Sequence, residues 1–388
     1  MLKKERLFTP GPTPLHPRVL EALGRPIPHH RSEEFRSLFR ECRAGLQAFL
    51  KTTGDVLILS CSGTGGMEAV VVNAVAPGQR MLALVAGHFG RRFVEIGKAH
   101  GIEVLTIEAP WGEAVAPELV AEALDREPAL RAVTVQLSES STGARHDIEG
   151  LAHVIRDRPG TLLIVDAISG AGAMRLETEA WGVDLVVVGS QKALALPPGL
   201  AFVAVSPKAW DRIEATPARR FYFDLRRERK GQGDGNSAFT PSIAHVAALR
   251  AALQAVRSQG GVDSLVDNAK GLAAMTRAAA SALGLSLVSP LHHGDALTAL
   301  YPPPGLDAPA IVKGMKGEFA ATVAGGQGQL SGKILRVAHL GYYDVTDILG
   351  LIGALEIVLR RLGHGFDGGA GVLAAQSEYL RRSAPFAP

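Results

Sequence analysis

The stretch DLVVVGSQKALALPPGLAFVAVS (residues 184–206) reads as two apolar strands around a turn that carries a lysine. The runs on either side of Lys192 are too short for helices and show no polar alternation, the pattern of strands covered on both faces of a sheet. Burial disfavours an ammonium unless it has a partner or a task. A lone lysine here is ordinarily a strand end whose amine reaches back to solvent. The neighbouring segments decide between that reading and chemistry.

Five more runs of the same kind precede it: DVLILS (55–60), RMLALVA (80–86), IEVLTIEA (102–109), RAVTVQLS (131–138) and GTLLIVDA (160–167). Amphipathic stretches such as HFGRRFVEIGKAHG (88–101) and DIEGLAHVIRDR (147–158) lie between them. Seven strands alternating with helices predict an α/β domain with a mainly parallel sheet between helical layers. Ligands of such sheets bind at the C-terminal ends of the strands. Residues 242–283 read as two helices broken near Gly260 and Gly261, and 285–362 as a small α+β unit with strand-like pieces and a closing helix. The expected division is an N-terminal segment 1–20 near the active site, a large domain 21–260 and a small C-terminal domain 261–388. The tail after 367 is expected to form a short helix and a loose end.

A chain of 388 residues with 47% hydrophobic and 20% charged residues can bury a full core and reads as soluble. The opening MLKKERLFTPGPTP lacks an apolar stretch after its lysines, which argues against a secretory signal and for the cytoplasm. Two cysteines, Cys42 and Cys61, make neither a disulfide scaffold nor a CxxC metal pattern. A formal charge of +3 with only local basic clusters argues against nucleic acid, and no run suits a membrane span.

The ends of the strands carry the chemistry. CSGTGG (61–66) sets Ser62, Gly63 and Thr64 between a strand and a helix, where first-turn N–H groups lack partners and favour an anion. This is neither a Walker loop nor GxGxxG, since Glu68 stands where the third glycine belongs. An ordinary capped turn would look alike. Asp166 ends an apolar strand, either as a helix N-cap or as a carboxylate that keeps a heteroaromatic nitrogen protonated. Ser138, Ser140, Ser141 and Thr142 end a third strand. Pyridoxal phosphate explains the set: its aldehyde needs a lysine, its ring nitrogen an acid, its phosphate an amide-rich turn. Lys192 is then the Schiff-base lysine and the base that moves the Cα proton.

FTPGPTPLHPRVLEAL (8–23), CSGTGGMEA, ESSTG, VDAISG, GSQKALALPPGLAFVAVS and GKILRVAHLG (332–341) resemble, in order, the class V aminotransferases of fold type I, and within them the serine–pyruvate and alanine–glyoxylate group. The likeness covers about residues 7–362. It implies a homodimer whose cofactor sites are shared across the interface. By motif it assigns Lys192 to the Schiff base, Asp166 to the pyridine nitrogen and Ile168 to the face below the ring. Gln191, Ser62, Gly63 and Thr64 resemble phosphate or ring-side contacts, Ser140 the residue near the ring hydroxyl, and Phe89 the stacked aromatic. Arg336 matches the arginine that grips the substrate carboxylate, against the alternative of an ion pair inside the small domain. Gly11 resembles the glycine beside the substrate. Thr240 resembles the threonine that reaches the neighbouring subunit's phosphate, while Ser237 stands where the family often has tyrosine.

The resemblance implies a transaminase that moves an amino group from alanine or serine to glyoxylate or pyruvate. Other pyridoxal-phosphate chemistry at Cα, as a lyase or decarboxylase, or a 2-aminoethylphosphonate transaminase, uses the same machinery. A cysteine desulfurase would need a cysteine on a late loop and a histidine in place of Phe89, and this chain has neither. A non-catalytic subunit that kept the fold is opposed by the intact lysine, acid and arginine. No second basic residue stands beside Arg336, although Arg31 could reach the pocket's mouth, so a small neutral donor is favoured over aspartate or glutamate.

Overall fold

The computed structural model of the chain describes residues 2–217 and 220–382. All seven expected strands form one sheet: β1 (Asp55–Leu59), β2 (Arg80–Val85), β3 (Glu103–Glu108), β4 (Leu130–Gln136), β5 (Leu162–Asp166), β6 (Leu185–Gly189) and β7 (Ala201–Val205). Their spatial order is β1-β7-β6-β5-β4-β2-β3. β7 runs antiparallel to both its neighbours, and every other pair is parallel.

Six of the apolar runs are continuous because both faces of their strands are covered, whereas the edge strand β3 is largely exposed. Ile58, Leu84, Val135, Val165, Val188 and Phe202 pack in one core with Phe35, Phe39 and Leu46 of helix Glu33–Leu50. Their sequence neighbours Leu57, Ala83, Ile164, Val187 and Val203 face the opposite way, onto Met67, Val70 and Val71 of helix Gly63–Ala74 and Phe93 of helix His88–Ala99. The period of two in the strands thus sorts one run of side chains into two separate layers.

A third core gathers around a four-stranded antiparallel sheet, in the order Ser286–Leu287, Leu297–Tyr301, Leu335–Ala338, Ala324–Gly325. Helices Val262–Ala282, Ala308–Phe319, Val345–Arg361 and Ala370–Arg382 pack on it. The last of these is the expected tail helix, 13 residues long, and the expected loose end lies outside the described residues. The N-terminal strand Arg6–Leu7 runs parallel to Ala321–Thr322, and the Phe8 carbonyl accepts from the Ala338 amide at 3.0 Å. From there residues 9–13 cross to the turn that holds Lys192, where the Thr13 hydroxyl donates to the Lys192 carbonyl at 3.0 Å. Among the described residues no helix is long and apolar enough to cross a membrane.

Candidate active site

At the β2/β4 junction the chain leaves the sheet in opposite directions, β2 leading outward to β3 and β4 inward to β5. Such a switch point opens a crevice at the C-terminal strand ends. The loops on its two sides are tied by Glu139, which is fully buried. One carboxylate oxygen of Glu139 accepts from the amides of Phe89 and Gly90, both at 3.0 Å. The other accepts from the Ser141 amide at 3.1 Å and hydroxyl at 2.6 Å. The Ser141 hydroxyl in turn accepts from the His88 amide at 3.0 Å. Gly87 offers no side chain to cap helix His88–Ala99, so the opposite loop satisfies its first-turn N–H groups. Phe89 is thereby held, half-buried, at the crevice.

Asp166 is the last residue of β5, in register with Gln136 of β4 and Val187 of β6. Its carboxylate accepts from the Ile168 amide at 2.9 Å, so it closes a local turn and does not cap a helix. Burial pushes its carboxyl up to about 7, Glu139 adds to the shift, and the Ile168 amide, Lys192 and Arg92 oppose it. β6 ends at Gly189, and Lys192 lies three residues on, in the turn before β7. Its side chain is buried, which excludes the snorkelling alternative. Nζ donates to the Pro10 carbonyl. Burial pulls this ammonium down to about 8, with Arg336 and Arg92 pulling the same way and Asp166 opposing.

Arg336 sits in strand Leu335–Ala338, where its cross-strand partners are the small Ala299 and Ala324. Its guanidinium donates to the Gly325 carbonyl at 2.8 Å, the Ser140 carbonyl at 2.6 Å and the Gln327 amide oxygen at 3.3 Å. No carboxylate lies within ion-pair distance of it among the described residues, so the ion-pair alternative fails. Burial pulls it down to about 10, yet a guanidinium keeps its proton. Ser140 therefore joins the small sheet to the crevice through its main chain.

The Ser62 hydroxyl caps helix Gly63–Ala74, accepting from the Gly65 amide at 3.5 Å, so Gly63 and Thr64 form the first turn. Gly63 and Gly189 both press on Ile168: a Cβ at either would lie 2.6 Å and 3.2 Å from its side chain. The side-chain oxygen of Gln191 is buried without a partner. Thr240 stands apart, exposed ahead of helix Ile243–Ser258 and without a hydrogen bond to these groups. Ser237 spends its hydroxyl on the Phe239 carbonyl. Arg31 is exposed, and its backbone amide donates to Nδ1 of His29 at 3.2 Å.

Three residues escaped the sequence reading. Glu139 and Gln327 carry no local signal. Arg92 does: it lies three residues after Phe89 and four after His88 on one helix, spacings that share a face. Its guanidinium rests 4.8 Å from the centre of the Phe89 ring and donates to the Thr64 hydroxyl at 3.0 Å.

The residues fit pyridoxal phosphate: a desolvated lysine, a buried carboxylate free of an ion pair, an orphaned amide oxygen and a helix first turn whose leading amides have no helical partners converge on one crevice. Residues 7–294 match the model of the family described as aminotransferase class-V. The chain is 38% identical to a protein named soluble hydrogenase 42 kDa subunit from Anabaena cylindrica, across 96% of this chain and 98% of that one. It superposes on the aspartate aminotransferase of subgroup IV from Thermus thermophilus with a TM-score of 0.86 and 38% identity, covering 92% of this chain and 99% of the other. The alanine–glyoxylate aminotransferase from Nostoc sp. matches with a TM-score of 0.88 and 32% identity over 93% and 96% of the two chains. With the sheet order and crevice described above, these likenesses make the chain a member of the class V aminotransferases, pyridoxal-phosphate transaminases of fold type I.

Proposed function

We propose that this enzyme transfers the amino group of a small neutral amino acid, alanine or serine, to glyoxylate or pyruvate, with pyridoxal phosphate bound covalently to Lys192. The observation that carries the reading is the buried Lys192 amine in the turn after β6, whose burial draws it down to about 8. An amine with that proton affinity takes and returns a proton near neutral pH, so Lys192 Nζ moves the proton of the substrate Cα. The cofactor supplies the electron sink that allows that bond to break. Asp166 holds the proton of the ring nitrogen, in a site where burial alone already favours sharing one. Ile168 and Phe89 cover the two faces and exclude water. Ser62, Gly63, Thr64 and Gln191 hold the phosphate end, and Ser140 lies by the ring hydroxyl.

Arg336 takes the substrate carboxylate. Its carbonyl partners fix the guanidinium plane before substrate arrives, which lowers the cost of ordering it. Among the described residues Arg336 is the one arginine in the strands of the small sheet, and its bond to the Ser140 carbonyl turns it onto this crevice, which supports a donor with a single carboxylate. Thr240 acts in trans: exposed in its own chain, it completes the phosphate site of a second copy, and the active unit is a homodimer.

The test pairs alanine, serine, aspartate and 2-aminoethylphosphonate with glyoxylate, pyruvate and 2-oxoglutarate, and reads products by chromatography. Alanine or serine with glyoxylate or pyruvate should turn over fastest, and Lys192→Ala should lose at least about 10³ in rate. Borohydride reduction should leave a pyridoxyl mass on Lys192. Fastest turnover of aspartate, release of carbon dioxide, or an adduct on another lysine overturns the corresponding part.

A further inference from the structure

Helix His88–Ala99 carries two adjacent arginines with different fates. Arg91 forms an exposed pair with Glu108 at 2.9 Å. Arg92 turns the other way and has no carboxylate within ion-pair distance among the described residues. Three contacts hold its guanidinium: the face of Phe89 at 4.8 Å, the Nε2 of His88 at 3.3 Å and the Thr64 hydroxyl at 3.0 Å. A guanidinium has only donors, so Thr64 must accept, and its own O–H is left to point elsewhere. Thr64 lies in the first turn of helix Gly63–Ala74, among amides without helical partners. The complement of an aimed hydroxyl, free amides and an unspent positive charge is an anion.

We propose that Arg92 is a positioning residue for the phosphate end of the cofactor, acting through Thr64: it takes up one lone pair of the hydroxyl so that the O–H points at the phosphate, while Phe89 holds the guanidinium in place. This rests on the proposed reading of the Lys192 site. It makes one helix face responsible for both ends of the cofactor, since the same i, i+3 pair presents the stacking ring and the orienting charge. It also explains why the phosphate turn needs no cation of its own.

The experiment measures binding of pyridoxamine 5′-phosphate and of unphosphorylated pyridoxamine to the apoprotein by equilibrium dialysis, for wild type, R92Q, R92K, T64V and R92Q/T64V. R92Q should weaken the phosphorylated ligand about 10- to 100-fold, the range for losing a hydrogen bond to a charged group, and leave pyridoxamine within about 2-fold. R92K should restore part of the loss, because an ammonium can donate to Thr64 but cannot stack flat. In the T64V background R92Q should add little. Equal weakening of both ligands means a purely structural role and overturns the proposal. Fully additive losses mean that Arg92 does not work through Thr64, and overturn it as well. Should R92Q fail to fold, R92K alone and over T64V carries the same cycle. Wild-type protein that binds both ligands alike would bring down the reading of the site itself, and the proposal with it.

Discussion

Gly11 and Lys192 are in such close contact that a Cβ on Gly11 would lie 2.5 Å from Nζ and 2.6 Å from Cε. Gly11 also holds φ at +113°, a backbone region that side chains disfavour. Replacing it by alanine should displace the lysine while the three cores, which Gly11 does not enter, keep the fold. A misplacement near 1 Å costs a catalytic group about 10² in rate. Gly11→Ala should therefore lose roughly that factor in kcat with an unchanged far-ultraviolet dichroism spectrum. Full activity in that variant would show that the contact is not limiting.

Arg336 should separate substrate binding from cofactor binding. Arg336→Lys keeps the charge but loses the planar fork and the main-chain contacts that orient it. The expected result is a KM for the amino donor raised about 10- to 100-fold, with a smaller fall in kcat and unaltered affinity for pyridoxamine 5′-phosphate. A cofactor affinity that falls in parallel would refute the division of labour.

The apoprotein should show a pH dependence of stability that reports Asp166 and Lys192. Asp166, raised to about 7 from 3.8, keeps a proton when folded that the unfolded chain has released, so stability falls as pH rises from about 4 through 7. Lys192, lowered to about 8 from 10.5, has lost a proton that the unfolded chain still holds, so stability rises with pH between about 8 and 10.5. Asp166→Asn should flatten the first slope by on the order of 2 kcal/mol between pH 5 and 7, read from urea unfolding. Identical slopes in wild type and variant would contradict the assignment. The holoenzyme of the same variant should bind cofactor but remove the Cα proton far more slowly.

Thr240 in trans can be tested by complementation. Mixing Lys192→Ala with Thr240→Trp chains gives a mixed dimer with one site that has both residues intact and one that has neither. Activity should recover to roughly half of wild type per dimer if the two sites act independently. Native mass spectrometry must show that mixed dimers form. Mixed dimers without recovery, beside an impaired Thr240→Trp parent, exclude the shared site, and a fully active monomer excludes the dimer.

Much of the large sheet was legible residue by residue. Six of the seven strands coincide with a mostly apolar run, because a strand covered on both faces must be apolar along its length, and the seventh, β3, is a partly exposed edge strand whose run carries Glu103, Thr106 and Glu108. Asp166 and Lys192 stood out for the same reason, as charges at the ends of runs that tolerate none. The break at Gly260 and Gly261 likewise separates helix Ile243–Ser258 from Val262–Ala282. The partners of those charges were not legible. Asp166 closes a two-residue turn where an N-cap was an alternative, and Arg336 donates to carbonyls where an ion pair was one.

Sequence by itself determined the strands, their alternation with helices and the positions of the polar residues that end them, since these follow from local periodicity and the cost of burying charge. Only the tertiary structure decided that Glu139 of one loop would cap the helix that starts at the other, that Ser140 would offer its carbonyl to Arg336, and that Gly11 would lie against Lys192 from 181 residues away. Backbone amides and carbonyls carry no residue-specific signature, so a site assembled through them has no pattern in the chain. Their pairing is set by strand order and by the packing of the small sheet, which bring together segments that are distant in sequence.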